Sequence, residues 1–368
     1  MPSDVGDDFI GCAECPRRAV HWGGTANDHK GARMRYKPSL DGLRAVAVIA
    51  VMAYHARIEA AHGGFLGVDI FFVLSGYLIT RLLLEEHERT GNLRVGHFYM
   101  RRLRRLYPAL LLMLGVYVLL APWLFSQRQG HSRDALLAAL YLSDYGFAFF
   151  KTPWFIQHTW SLAVEEHFYL LWPLALRLIL RLPRAAWAPI TLALALLAMA
   201  WRWYIVTDID PWQQPYYRFD TRLSGLVMGA ATALWNPTAP KYSALFGAVL
   251  VSYAMWNAFS RHPQSLMQWM LIVEIGAILL IIGAHQLRTL SVAPLVWIGR
   301  LSYGLYLWHF PAMFWLRYQH ITGWTAFALG GALALAGATA SYFTVERHAR
   351  LARARTELCP PTLPRPGK

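Results

Sequence analysis

Ten apolar stretches of this sequence read as candidate membrane spans: about 41–57, 63–84, 106–125, 158–182, 186–206, 217–235, 242–260, 265–286, 294–316 and 324–345. Each has roughly the 17–25 residues a membrane helix needs. Lipid offers the backbone no hydrogen bonds, so runs of this kind satisfy themselves as helices. Of 368 residues, 56% are hydrophobic and only 15% charged, with a mean hydropathy of +0.30. That leaves too little polar surface for an ordinary globular enzyme. The predicted fold class is all-α: a polytopic transmembrane helical bundle of about ten spans.

The formal charge of +14 would suit a nucleic-acid partner if it lay on a soluble face. It does not. The basic residues fall in short segments between apolar runs, as cytoplasmic loops do, so the partner is the bilayer and no nucleic acid is expected. Both flanks are basic, with Arg33, Arg35 and Lys37 before the first run and Arg347, Arg350, Arg353 and Arg355 after the last. Both ends therefore prefer the cytoplasm, which demands an even number of crossings. The stretch 135–150 is an eleventh candidate, but its crossing would force Arg177, Arg181 and Arg184 outside. It is predicted to lie at the outer surface or to be re-entrant.

The expected organisation is a disordered extension at 1–35, a membrane domain at 36–347 and a basic, proline-rich cytoplasmic tail at 348–368. Cys12 and Cys15 form a CxxC near His21 and His29, but no second cysteine pair completes a zinc site. Residues 1–33 are expected to be dispensable, with Met34 a natural start. No metal site is predicted, because no HExxH occurs and the histidines are scattered among the runs.

Ionisable residues inside the runs mark the candidate site. Arg44 and His55 stand eleven apart, which returns nearly to one helical face and separates them by about 16 Å. Charges at such depth cost a few kcal/mol unless received by a partner or a wet cavity, so a functional site is the default; a pair anchoring helices is the alternative. In the second run, Asp69 is a candidate for orienting a histidine. Ser75 reads as a packing or hydrogen-bonding serine without a nucleophile elbow around it. Gly67 and Gly76 would let helices approach. Arg101, Arg104 and Arg105 share one helical face before a membrane entry, suited either to phosphates or to topology and anionic lipid. His158, Ser161 and Glu165 form a stripe, with Glu166 beside them, and loop charge puts the glutamates at the depth of His55. A histidine beside a carboxylate is an acid–base pair. Arg218, Asp220 and Arg222 open the sixth run, either as an ion pair or as a guard of acceptor entry. Ser302, Tyr306 and His309 stack in the ninth, where Pro311 frees a backbone carbonyl as cavity-lining helices do.

Six stretches in series resemble the acyltransferase-3 family of integral membrane O-acyltransferases: LDGLRAVAVIAVMAYH, GGFLGVDIFFVLSGYLIT, FYMRRLRRLYPALLL, TWSLAVEEHFYLLWP, RFDTRLSGLVMGA and IGRLSYGLYLWHFP, followed by SYFTVE. They cover about residues 36–346. The family pattern is matched by Arg44 and His55, by Arg101 and Arg104, and by Glu165 and Glu166. The resemblance implies a bacterial cytoplasmic (inner) membrane enzyme without a cofactor. Its donor would be acyl-CoA, usually acetyl-CoA, taken from the cytoplasm. The acceptor would be a hydroxyl of a surface or secreted glycan or lipid-linked sugar, such as LPS O-antigen or exopolysaccharide. His55, Glu165, Glu166 and Arg44 would be catalytic and Arg101, Arg104 and Arg105 donor-binding. Asp69, Ser75, Asp220, Arg222, Tyr306 and His309 would line the acceptor cavity. Some relatives carry a C-terminal esterase-like domain. Its absence from this sequence is expected to count against peptidoglycan roles that rely on it. The rival class is a secondary transporter or flippase, against which no internal repeat relates the two halves.

Overall fold

The computed structural model describes residues 37–125 and 129–346, and the described residues contain helices and no strand. The expected extension at 1–35, with its CxxC, and the tail at 348–368 lie outside the described residues. The helices are α1 (Pro38–His55), α2 (Gly67–Thr90), α3 (Val95–Leu124), α4 (His131–Ala139), α5 (Ser143–Phe150), α6 (Thr159–Ile179), α7 (Arg184–Asp208), α8 (Gln213–Tyr217), α9 (Phe219–Trp235), α10 (Ser243–Asn257), α11 (Met270–Ile282), α12 (Ala293–Tyr318) and α13 (Gly323–Ser341).

Every predicted apolar run is a helix. Five are long and apolar enough, by length and composition, to cross a membrane: Glu59–Thr90, Val95–Leu124, Arg184–Asp208, Ser265–Ile282 and Gly323–Thr344. The helices that carry most of the candidate site, α1, α6 and α12, are not among the five; all three hold ionisable residues within their length. Large apolar side chains face outward around the bundle, among them Leu119, Leu174, Leu197, Phe246 and Leu333. In water such a belt would aggregate; against acyl chains it is the expected surface. The chain is a membrane protein.

The stretch 135–150 breaks into α4 and α5, of nine and eight residues, with Tyr141 between them in the left-handed region at φ 54°. At 1.5 Å per residue neither reaches halfway through a core of about 30 Å. Asp144 of α5, fully buried, pairs with His167 of α6 at 3.2 Å and holds this short helix against the bundle.

Packing sets the geometry of the site. α12 lies between α1 and α13, while α9 lies between α2 and α7. The α2–α9 crossing is a reciprocal glycine contact. A Cβ on Gly76 would fall 1.8 Å from the Leu226 carbonyl oxygen, and one on Gly229 2.0 Å from that of Val73. Gly67 likewise approaches α1, where a Cβ would stand 2.6 Å from the Ala47 oxygen. Only small residues allow backbones this close, and close backbones are what holds helices together in lipid.

Candidate active site

His55 is the last residue of α1, and the packing of α1 along α12 brings it to His309. His55 Nδ1 and His309 Nε2 are 3.0 Å apart. His309 is fully buried, and its Nδ1 donates to the Tyr306 carbonyl at 2.7 Å. His158, at the start of α6, completes a group of three imidazoles. Its Nε2 donates to the Leu307 carbonyl at 3.1 Å, and its ring stacks on Phe310 at 4.9 Å. That carbonyl is available because residue 311, its helical partner four positions on, is a proline without an N–H. The cavity signal read from Pro311 thus has a named occupant. Ser161 Oγ and the Tyr306 hydroxyl, 2.6 Å apart, tie α6 to α12 just beside it. Among the described residues no group of three His, Cys, Asp or Glu side chains is arranged to hold a metal ion.

A second polar layer lies further along α6. Glu165 is seven residues beyond His158, hence about 10 Å further along α6. Ser75 Oγ donates to Glu165 Oε1 at 2.6 Å, with the Tyr169 hydroxyl beside it. The guanidinium of Arg102 stands over the Tyr169 ring at 4.5 Å, where its charge acts on both Glu165 and Glu166, and that of Arg44 also reaches Glu165. Arg44 itself contacts Asp41 at 3.4 Å. His55, Ser75, Arg44, Arg102, Glu165 and Glu166 are each half-buried, while Ala47, Val48, Val51, Val164 and Phe168 between them are closed. Partly accessible polar side chains thus stand amid sealed apolar neighbours on α1, α2, α3 and α6.

The expected His–Glu pairing is therefore replaced. His55 terminates its helix and is level with the start of α6, so it meets His309 and lies beside His158, whereas the glutamates lie two turns away with Arg102 and Arg44. Asp69 does not orient a histidine either. It is buried and pairs with Arg222 at 2.9 Å, and the Arg222 guanidinium is enclosed by Phe72, Trp160 and Tyr216 at 5.1–5.4 Å. Asp220 separates from Arg222: it is half-buried at the helix mouth, binding Arg218 at 2.5 Å and accepting from Trp201 Nε1 at 2.6 Å. Of the expected donor-binding arginines, Arg101 is ion-paired with Glu86 at 3.1 Å, while Arg104 and Arg105 form an exposed face.

Sequence reasoning did not single out Arg102, which turns inward from the same cluster, nor Arg202 and Glu274. Arg202 is fully buried and contacts Glu274 at 3.2 Å and Ser224 at 2.8 Å; Met270 Sδ bridges it to Arg222. The signal was present: an arginine and a glutamate inside apolar runs, the same feature that marks Arg44.

A family model for the acyltransferase domain, Acyl_transf_3, matches residues 37–343. The chain belongs to this acyltransferase family. It is 37% identical over 307 residues to the peptidoglycan O-acetyltransferase OatA of Listeria monocytogenes, covering 75% of this chain and 49% of that protein. It is 34% identical over 319 residues to the putative peptidoglycan O-acetyltransferase YrhL of Bacillus subtilis, covering 77% and 50%. Against the O-acetyltransferase OatA of Staphylococcus aureus it is 34% identical over 326 residues, covering 78% and 52%. The chain thus spans about half the length of the curated relatives it matches. No solved structure matches it. Family membership does not favour the transporter alternative.

Proposed function

We propose that this protein is a multi-pass enzyme of the bacterial cytoplasmic membrane that moves an acetyl group from acetyl-CoA to a hydroxyl of an extracytoplasmic glycan. The relatives' names make peptidoglycan the first acceptor class to test, ahead of LPS O-antigen and exopolysaccharide. The observation that carries the reading is the set of partly accessible polar side chains on α1, α3 and α6, with arginines at one end and His55 at the other, which we read as lining a donor cleft. Ten crossings with both ends cytoplasmic would put the arginine end inside and the histidine end outside.

In this mechanism Arg101, Arg104 and Arg105 hold the CoA phosphates at the inner face, and the pantetheine arm passes Arg44 and Arg102 into the cleft. The arm must cover about 16 Å, the rise from Arg44 to His55. His55 takes the proton of the acceptor hydroxyl as its oxygen attacks the thioester carbonyl. The same proton leaves on the CoA sulfur when the tetrahedral intermediate collapses, so the enzyme ends as it began. Ser75, Glu165 and Arg102 form the polar wall of the cleft.

The test is incubation of membranes with radiolabelled acetyl-CoA, followed by fractionation into peptidoglycan, lipopolysaccharide and polysaccharide. Base-labile label in one glycan fraction is the expected result; label in none of them would refute the activity. Arg104→Lys is expected to raise the apparent KM for acetyl-CoA several-fold without altering topology, since lysine keeps the charge but loses the planar fork that grips phosphate. An unchanged KM would assign this face to lipid alone. Sidedness is checked with single cysteines in a cysteine-free background. Position 129 is expected to react with an impermeant thiol reagent in intact cells, and position 184 only after permeabilisation. External labelling at 184 would invert the assignment of donor and acceptor ends.

A further inference from the structure

We infer that His309 is a positioning residue for the transfer reaction: it fixes the tautomer of His55 so that His55 Nε2 carries the lone pair. This rests on the reading of His55 as the base. A carbonyl oxygen can only accept, so the 2.7 Å contact between His309 Nδ1 and the Tyr306 oxygen requires the proton on Nδ1. His309 is fully buried and none of its hydrogen-bond partners is a carboxylate, so a cationic ring there would be a buried charge with no counterion. A neutral imidazole has one N–H, and His309 Nε2 is therefore an acceptor. The proton in the 3.0 Å contact must then belong to His55 Nδ1, and the Val51 carbonyl, one turn back on α1, is a further acceptor for the His55 ring. His55 Nε2 is left bare, on a ring that the edge of Phe310 holds at 4.9 Å.

When Nε2 takes the acceptor's proton, the new imidazolium still donates through Nδ1 to His309 Nε2, and no group has to turn. Acid–base triads usually give this task to a carboxylate that orients a histidine. Here a backbone carbonyl orients one histidine and that histidine orients the next. An uncharged relay suits the membrane interior, where a carboxylate would need its own partner.

The test compares His309→Gln, His309→Asn and His309→Leu in the full-length protein, in membranes supplied with radiolabelled acetyl-CoA. Abundance and monodispersity are matched by fluorescence-detected gel filtration. Glutamine reaches far enough to place its amide oxygen where Nε2 stood, and it is expected to retain activity within about tenfold of wild type. Asparagine can satisfy the Tyr306 carbonyl but falls short of His55, and leucine offers no acceptor. Both are expected to lose at least about 100-fold, given that a wrong tautomer in a serine protease costs about 10⁴-fold. A purely structural role would rank leucine with or above glutamine; that order, or equal activity of the three at equal abundance, would overturn the relay. A measurement on the unmutated ring stands beside it: the solid-state ¹⁵N spectrum of the wild-type protein, with His55 assigned by its loss in His55→Gln, is expected to show Nδ1 protonated and Nε2 bare. A protonated Nε2 would overturn the relay without any variant at 309. If His55→Ala retains activity, the base assignment itself falls. If His55→Ala is inactive while His309→Leu is fully active, the relay alone falls.

Discussion

Replacing His55 by alanine is expected to lower glycan acetylation by at least about 10³-fold, within the range removal of a general base gives, while the protein inserts at wild-type abundance. Insertion should survive because alanine sits in lipid more easily than imidazole. The packing of α1 also does not depend on its last residue: Ala47, Val48 and Val51 are wholly buried while His55 is only partly buried. His309 would keep its bond to the Tyr306 carbonyl, which lies within its own helix. The measurement is base-labile acetate on peptidoglycan and other glycans from a deletion strain carrying the variant, beside an immunoblot of its membranes. Wild-type acetylation by a well-expressed His55→Ala protein would remove His55 from the mechanism.

The second large effect concerns folding. Arg202→Leu alone is expected to destabilise the bundle by about 3–5 kcal/mol, because Glu274 would remain as a buried carboxylate without its cation. Glu274 Oε1 would keep only Ser224 as a hydrogen-bond donor among the contacts seen in the structure, since Arg202 supplies the other. The double variant Arg202→Met with Glu274→Leu should recover most of that loss, since replacing a whole buried pair by apolar groups is often neutral or better. The neighbouring Arg222–Asp69 pair would then stand by itself, still charge-balanced. Thermal unfolding in detergent, followed by gel filtration, reads both. A single variant as stable as wild type would mean that water or lipid headgroup already reaches Glu274, whose side chain is 1% exposed here.

The contrast between these two sites shows how far residue patterns carry. The histidine and arginine of α1, the glutamate pair of α6 and the freed carbonyl before Pro311 were all legible, because each is a local property of one run. The short character of 135–150 was legible too, since loop charge on its far side opposed a crossing and Gly146, Ser143 and Asp144 weakened it as a span. The partners were not. Asp69 was assigned to a histidine and met Arg222; the glutamates were assigned to His55, but Glu165 met Ser75, with Arg102 and Arg44 near enough to act on it, and Glu166 stands near Arg102; Arg102 was passed over for the exposed face of the same turn. Depth was read from loop charge for direction and from residue rise along each run. An error of two turns in the offset between α1 and α6 was enough to exchange a carboxylate for an imidazole.

What the sequence determined by itself is that these segments are helices, several of them apolar enough to cross a membrane, and that a handful of ionisable residues within them must be received by something. Both follow from free energies borne by single segments: the backbone satisfies itself within a run, and every charge in that run is costly until partnered. The tertiary structure alone decided which partner each one has. Helical periodicity sets the face and depth of a residue on its own helix, but the rotation and sliding of one helix against another are set by packing. Here the contacts that set them are backbone approaches at Gly76, Gly229 and Gly67, and the run of α1 along α12 that delivers His55 to His309.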